Sequence, residues 1–281
     1  MGEVMYLRLR TITRLAAVVA VAVSLSGCDI AVDGHGGLGF GLAAGKAQDE
    51  WVRTYKVTPG GRLEIINING RITAEPASGS EVEVRAERSA RSISDEQARD
   101  LLGKIEMREE VGADRIRVEV RAPRLSGPSG HEIKWMIRVP NGVAVDLRTV
   151  NGGVRMSALQ GDIRARSTNG GIVGSRLAAS SLDASVTNGG VEIELASAPS
   201  SGTFDLESVN GGVTLSLPSD SKADIVARCV NGGISVTGLD VVVMGEQTRR
   251  RLDGKLNGGG ARVSMETVNG GVKIERSSGT T

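Results

Sequence analysis

Asn-Gly-Gly recurs at Asn151, Asn169, Asn188, Asn210, Asn231 and Asn269, each time followed by Val or Ile. The separations are 18, 19, 22, 21 and 38 residues, so a unit of about 20 residues repeats and one gap holds a double-length unit. Aligned on the Asn, the columns have constant character. Six residues before it stand Val145, Ile163, Leu182, Phe204, Ile225 and Val263, and three after it Val154, Ile172, Val191, Val213, Ile234 and Val272. Two before it the side chains are small: Thr149, Ser167, Val186, Ser208, Cys229 and Thr267. Between them runs a polar column, Arg148, Arg166, Ser185, Glu207, Arg228 and Glu266. A period of two with one apolar face means β-strand, so each unit is two short strands either side of Asn-Gly-Gly.

Asn-Gly is also a strong hairpin signal, and side-chain parity is the same for a hairpin and for a corner. Burial favours the corner. A meander of a dozen antiparallel strands presents one long apolar face, and the chain holds only one candidate helix to cover it. The expectation is an all-β, right-handed parallel β-solenoid, a β-helix, over 141–276, with an antiparallel barrel or sandwich as the alternative. In it Asn and Gly supply left-handed backbone at the corners, and the Asn side chains hydrogen-bond from rung to rung. Aromatic residues make up only 2% of the chain, so Val, Ile, Leu and Ala must build the core.

Residues 1–27 read as an export signal: Arg8, Arg10 and Arg14, then the apolar run Leu15 to Leu25, closing in Leu25-Ser26-Gly27-Cys28. That run is shorter than the roughly 20 residues a helix needs to span a bilayer. Ser26 and Gly27 suit a signal peptidase cleft, and the thiol of Cys28 can accept a diacylglyceryl group. The ending looks like a bacterial lipobox, which makes Cys28 the lipid-modified start of the mature protein and the membrane a partner through its lipid. Asp29 resembles an inner-membrane retention signal; inner or outer membrane stays open. Residues 28–50, rich in Gly, read as a tether. Residues 51–140 read as a strand-rich cap carrying a helix at 94–110 with Ser94 as N-cap, and 238–262 as a loop or hairpin projecting from the array.

Several chemistries lack material. The net formal charge is +1, with no electrostatic case for nucleic acid. Two His, His35 and His131, read as solvated side chains and leave little for a triad or a zinc site, so neither a catalytic residue nor a metal or other cofactor is assigned. Cys229 falls in the inward small column as a buried space-filler. Five before each Asn stand Asp146, Arg164, Asp183, Asp205, Val226 and Ser264. If the units stack in register, Arg164 lies between two Asp, a charge ladder across rungs. Asp183 above Asp205 is the one place where a cation or an acid pair is conceivable.

The units over residues 60–276, with the entry Pro140-Asn141-Gly142 and the late Gly258-Gly259-Gly260 turn, resemble the bacterial "putative adhesin" β-strand repeat family. That resemblance implies an envelope protein, many such proteins being exported or lipid-anchored, and carries over no catalytic residue. The function expected is therefore a non-enzymatic, lipid-anchored protein of the bacterial cell envelope with a binding or adhesion surface for a protein or glycan partner. A regulatory or scaffolding envelope protein and a carbohydrate-active β-helix enzyme are the alternatives.

Overall fold

The computed structural model describes residues 45–124, 127–197, 199, 201–244 and 248–277. The first strands are β1 (Gly45–Lys56), β2 (Arg62–Ile66), β3 (Ile72–Pro76) and β4 (Glu81–Ser92). Helix α1 (Asp95–Gly103), β5 (Glu106–Val111), β6 (Arg115–Arg121) and β7 (Gly130–Val139) follow. The Asn-Gly-Gly units then supply β8 (Ala144–Asn151), β9 (Val154–Ser157), β10 (Gln160–Asn169), β11 (Ile172–Asn188), β12 (Val191–Leu195), β13 (Thr203–Asn210), β14 (Val213–Leu217), β15 (Ala223–Asn231) and β16 (Ile234–Thr237). The chain ends with β17 (Val241–Val243), β18 (Arg251–Leu256), β19 (Ala261–Asn269) and β20 (Val272–Arg276).

All twenty strands join one mixed sheet. It curls like half a barrel, folding at the Asn-Gly-Gly corners into two leaves. The first leaf runs β5-β6-β2-β8-β10-β11-β13-β19-β15-β18-β17. The second runs β1-β4-β7-β3-β9-β11-β12-β14-β20-β16. Long β11 belongs to both: Ile172–Ser175 pairs in the second leaf and Leu182–Asn188 in the first. The inward columns of both leaves merge into one mainly aliphatic core, in which Tyr55, Trp135 and Phe204 are the buried aromatics among the described residues.

A right-handed parallel β-solenoid is not what forms. The middle strands pair in parallel, but β1–β4, β4–β7, β5–β6, β15–β18 and β17–β18 are antiparallel. Nor do the units stack in chain order. The last, β19 and β20, inserts between β13/β14 and β15/β16, so Asn269 lies between Asn210 and Asn231. At the other end β6 and β7 lie outside β2 and β3, which touch β8 and β9 directly. A coil wound in chain order leaves an unpaired strand edge at each end. Here β4, β5 and β18 turn back against the outer units and pair those edges instead.

Four local expectations change with this. The 238–262 segment does not project from the stack; its β17 and β18 continue the first leaf beyond β15. Most of the expected cap belongs to the stack itself, since β2, β3, β6 and β7 are full members of the leaves. Residues 45–50 of the expected tether lie in β1. The helix is shorter than 94–110: Ser94 caps it by accepting from Gln97 N at 3.3 Å, Ala98, Leu101 and Leu102 face the core, and Lys104 ends it. Glu106–Val111 pairs antiparallel with β6, and its alternating residues suit a strand better than a further turn of helix.

At the corners the glycine half of the expectation holds and the asparagine half does not: Gly152, Gly170, Gly189 and Gly211 have φ between 139° and 157°. None of the repeat Asn residues has positive φ. A Cβ on Gly152 would lie 2.1 Å from Gly70 O, and one on Gly170 2.4 Å from Gly152 O. Backbone stacks on backbone there, and close approach excludes a side chain. The small inward column does chemical work as well. Ser167 Oγ donates to Gly152 O at 2.8 Å, Ser208 Oγ to Gly189 O at 2.8 Å, and Thr267 Oγ1 to Gly211 O at 2.7 Å. These hydroxyls satisfy corner carbonyls that core packing hides from water.

Candidate functional site

Two surface features are built by the stacking. The first is a row of side-chain amides along the corner. Asn151 Nδ2 donates to Asn69 Oδ1 at 2.8 Å, and Asn169, Asn188, Asn210, Asn269 and Asn231 continue the chain of bonds at 2.8–2.9 Å. Asn69 starts the row, and its own Nδ2 meets His131 Nε2 at 3.2 Å. His131 is thus half-buried and bonded, unlike the solvated side chain expected, and burial pushes its pKa down. The Asn69-Gly70-Arg71-Ile72 stretch carried the signal for this seventh member, in degenerate form.

The second is the outer face of the first leaf. Reading across the strands in spatial order, one column is Arg117, Glu64, Asp146, Arg164, Asp183, Asp205, Ser264, Val226 and Asp253. Its neighbour is Glu119, Ile66, Arg148, Arg166, Ser185, Glu207, Glu266, Arg228 and Arg251. Glu64 and Asp146 are each only 3% exposed. Arginines roof them: Arg115 and Arg117 reach Glu64, and Arg148 Nη2 donates to Asp146 Oδ2 at 2.6 Å. Arg164 lies between its two Asp, with Nε 3.0 Å from Asp183 Oδ2 and Nη1 3.9 Å from Asp146 Oδ2. Arg166 reaches the same Asp183 oxygen at 2.9 Å.

Beyond Asp183 the face changes sign. Asp205 stands beside Asp183, and Glu207 beside Glu266. Among the described residues neither Asp205 nor Glu207 has an ion-pair partner within 4 Å. Burial first, and then the Asp183 charge, raises the pKa of Asp205; burial and then Glu266 raise that of Glu207. Asp146, Arg164, Asp183 and Asp205 line a shallow groove on this face. No group of three or more His, Cys, Asp or Glu side chains is arranged to hold a metal among the described residues. Sequence reading missed Glu64, Arg115 and Arg117, because their strands enter the stack out of order.

Two further residues can be placed. Cys229 is a free, buried thiol in the inward column. Cys28 lies outside the described residues. Among those described, no helix is long and apolar enough to cross a membrane.

The curled sheet has a solved counterpart. A structure described as a "putative cell adhesion protein" from Clostridium sporogenes matches with a TM-score of 0.51 at 16% identity, over 82% of this chain and 100% of that one. The two share a fold. A "putative adhesin" from Bacteroides fragilis matches with a TM-score of 0.40 at 13% identity, over 80% of this chain and 97% of that one. A "putative lipid binding protein" from Parabacteroides distasonis matches with a TM-score of 0.30 at 10% identity, over 82% and 97% of the two chains. No protein-family model matches the chain, and no curated protein matches it in sequence.

Proposed function

We propose that this chain is a non-enzymatic, lipid-anchored protein of the bacterial cell envelope, whose charged first leaf is a binding or adhesion surface. The observation that carries the reading is the juxtaposition of Asp205 with Asp183 and of Glu207 with Glu266. Like charges directly opposite each other in a sheet are destabilising, and such local conflicts concentrate where a surface serves a partner. Sharing its fold with a protein described as having an adhesion role supports the same reading. The anchor is Cys28, at the close of the Leu25-Ser26-Gly27-Cys28 lipobox. Two or three acyl chains hold a protein stably on a membrane where one does not.

The two parts are tested separately. Cys28→Ala moves the chain from the detergent phase to the aqueous phase; an unmodified thiol at Cys28 in the wild-type mass spectrum refutes the anchor. Cells lacking the chain lose attachment or aggregation. Wild-type protein restores it, and the Asp205→Lys, Glu207→Lys variant does not. Full restoration by that variant removes the charged leaf from the function, and turnover of a polysaccharide abolished by Asp183→Ala replaces binding with catalysis.

A further inference from the structure

The outer column immediately before each small position has an order that chain sequence conceals. Along the chain it reads Arg148, Arg166, Ser185, Glu207, Arg228, Glu266. Insertion of β19 between β13 and β15 brings the two Glu together, and β6 and β18 extend the row. In space it becomes Glu119, Ile66, Arg148, Arg166, Ser185, Glu207, Glu266, Arg228, Arg251. Counted outward from Ser185, the charges are opposite at the first, second and fourth steps: Arg166 against Glu207, Arg148 against Glu266, Glu119 against Arg251. The third step sets uncharged Ile66 against Arg228. The adjacent column repeats the relation about Asp183 at the first and fourth steps, with Arg164 against Asp205 and Arg117 against Asp253, while the second and third set Asp146 against Ser264 and Glu64 against Val226.

A charge pattern that reverses sign about its centre is complementary to itself. A two-fold axis lying in the plane of contact and running along β11 through Ser185 carries each strand onto the one equally far on the other side of centre and keeps the columns aligned. That is the isologous geometry of a symmetric dimer. We propose that the first leaf binds a second copy of this chain, face to face. The proposal rests on the reading of this leaf as a binding surface and names its partner. Arg166 and Arg164 of one copy then meet Glu207 and Asp205 of the other, the two carboxylates that lack a cation in their own chain. Asp183 lies on the axis, already neutralised by Arg164 and Arg166.

The area suffices for a specific contact. Nine strands at about 4.8 Å, each presenting about five residues at about 3.3 Å, make a face of about 700 Å². A standard interface buries about 800 Å² per partner. Association driven by charge complementarity of this kind is sensitive to salt. Helix α1 packs on β1 and β4 of the other leaf and leaves this face open.

The test uses the full chain in neutral detergent. Ser185→Cys puts one thiol per copy at the axis, and Thr214→Cys, in β14 of the second leaf, is the control with the same native cysteines. At low ionic strength mild oxidation is expected to link Ser185→Cys chains at least tenfold faster than Thr214→Cys chains, the difference vanishing in concentrated salt. In the Ser185→Cys background, Arg166→Glu and Glu207→Arg each slow linking about tenfold. Together in one chain they restore it, because the pattern is again self-complementary. Melting curves confirm that all variants fold. Equal rates for the two cysteine positions, indifference to the single reversals, or no recovery in the double reversal overturns the proposal. If linking fails while cell attachment still depends on Asp205 and Glu207, the partner is a different molecule and the binding reading stands.

Discussion

Gly170→Ala tests what the Asn-Gly-Gly corner requires at a residue whose φ is 139°. A Cβ there lies 2.4 Å from Gly152 O, 2.5 Å from Gly152 C and 2.9 Å from Gly153 N, against ordinary contact at 3.4–4 Å. The two units must separate by about 1 Å to admit it. The bonds that resist are Gly152 N to Asn169 O and Val154 N to Gly171 O, at 2.8 and 3.0 Å, and the Asn169–Asn151 amide bond at 2.8 Å. Weakening two or three bonds worth about 0.5–1.5 kcal/mol each gives a loss of about 3 kcal/mol. The next residue is the internal control. A Cβ on Gly171 meets Gly190 O at 3.2 Å, a contact relieved by a shift of a few tenths of an ångström, so Gly171→Ala is expected to cost under about 1 kcal/mol. Urea unfolding of the two variants, with an unchanged slope and different midpoints, measures both. Gly270→Ala completes the argument, since Gly270 has no positive φ yet its Cβ would lie 2.1 Å from Gly211 O. If Gly270→Ala is tolerated while Gly170→Ala is not, backbone conformation and not close stacking sets the requirement, and the reasoning here fails.

Ser208→Ala leaves Gly189 O buried without its 2.8 Å donor and is expected to cost about 1–3 kcal/mol in chemical denaturation, whereas Ser185→Ala on the outer face stays within about 0.5 kcal/mol. His131 has a folded-state pKa held below its ordinary 6.5 by burial, so its neutral form stabilises the fold; that contribution is complete above pH 6.5 and is lost as the pH falls through the lower folded value. His131→Gln should flatten this part of the stability profile, and an unchanged slope would remove His131 as its source. Asp205 and Glu207 shift the other way. Their folded pKa values are raised, so their contribution is most favourable in acid and declines as the pH rises through the folded values. Asp205→Asn and Glu207→Gln should therefore stabilise the isolated chain at neutral pH and lose the advantage in acid, as thermal melts across that range will read.

Much of the local architecture was legible because side-chain parity is a local property. Val154, Leu182 and Phe204 announce their face by period alone, and the Asn register follows from the repeat. Strand order was not legible. Nothing in the Asn231 or Asn269 units distinguishes an inner position from an outer one, because both carry the same inward columns. What separates them is the pairing of β15 with β18, an interaction between strands whose own patterns are short. The antiparallel ends were hidden for the same reason, and with them the extended family of charges from Glu64 to Arg251. The hydroxyl column was visible as small residues, but its purpose depends on carbonyls that only stacking brings near. Ser94 and its following acids marked the start of α1 correctly, while its end depended on the partner strand β6.

The place of β19 and β20 also sets a timetable for assembly. A chain synthesised from its N-terminus delivers Asn210 and Asn231 well before Asn269, yet these two units never touch in the finished sheet. Until residues 261–276 arrive, the apolar edges of β13 and β14 have no correct neighbour, and pairing them with β15 and β16 would be a trap to be undone. Long-range pairing of this kind slows folding. Residues 261–276 thus act as a keystone: this part of the sheet can close only once they have been made, and a chain stopped near residue 260 is left with an open seam and an edge prone to aggregation.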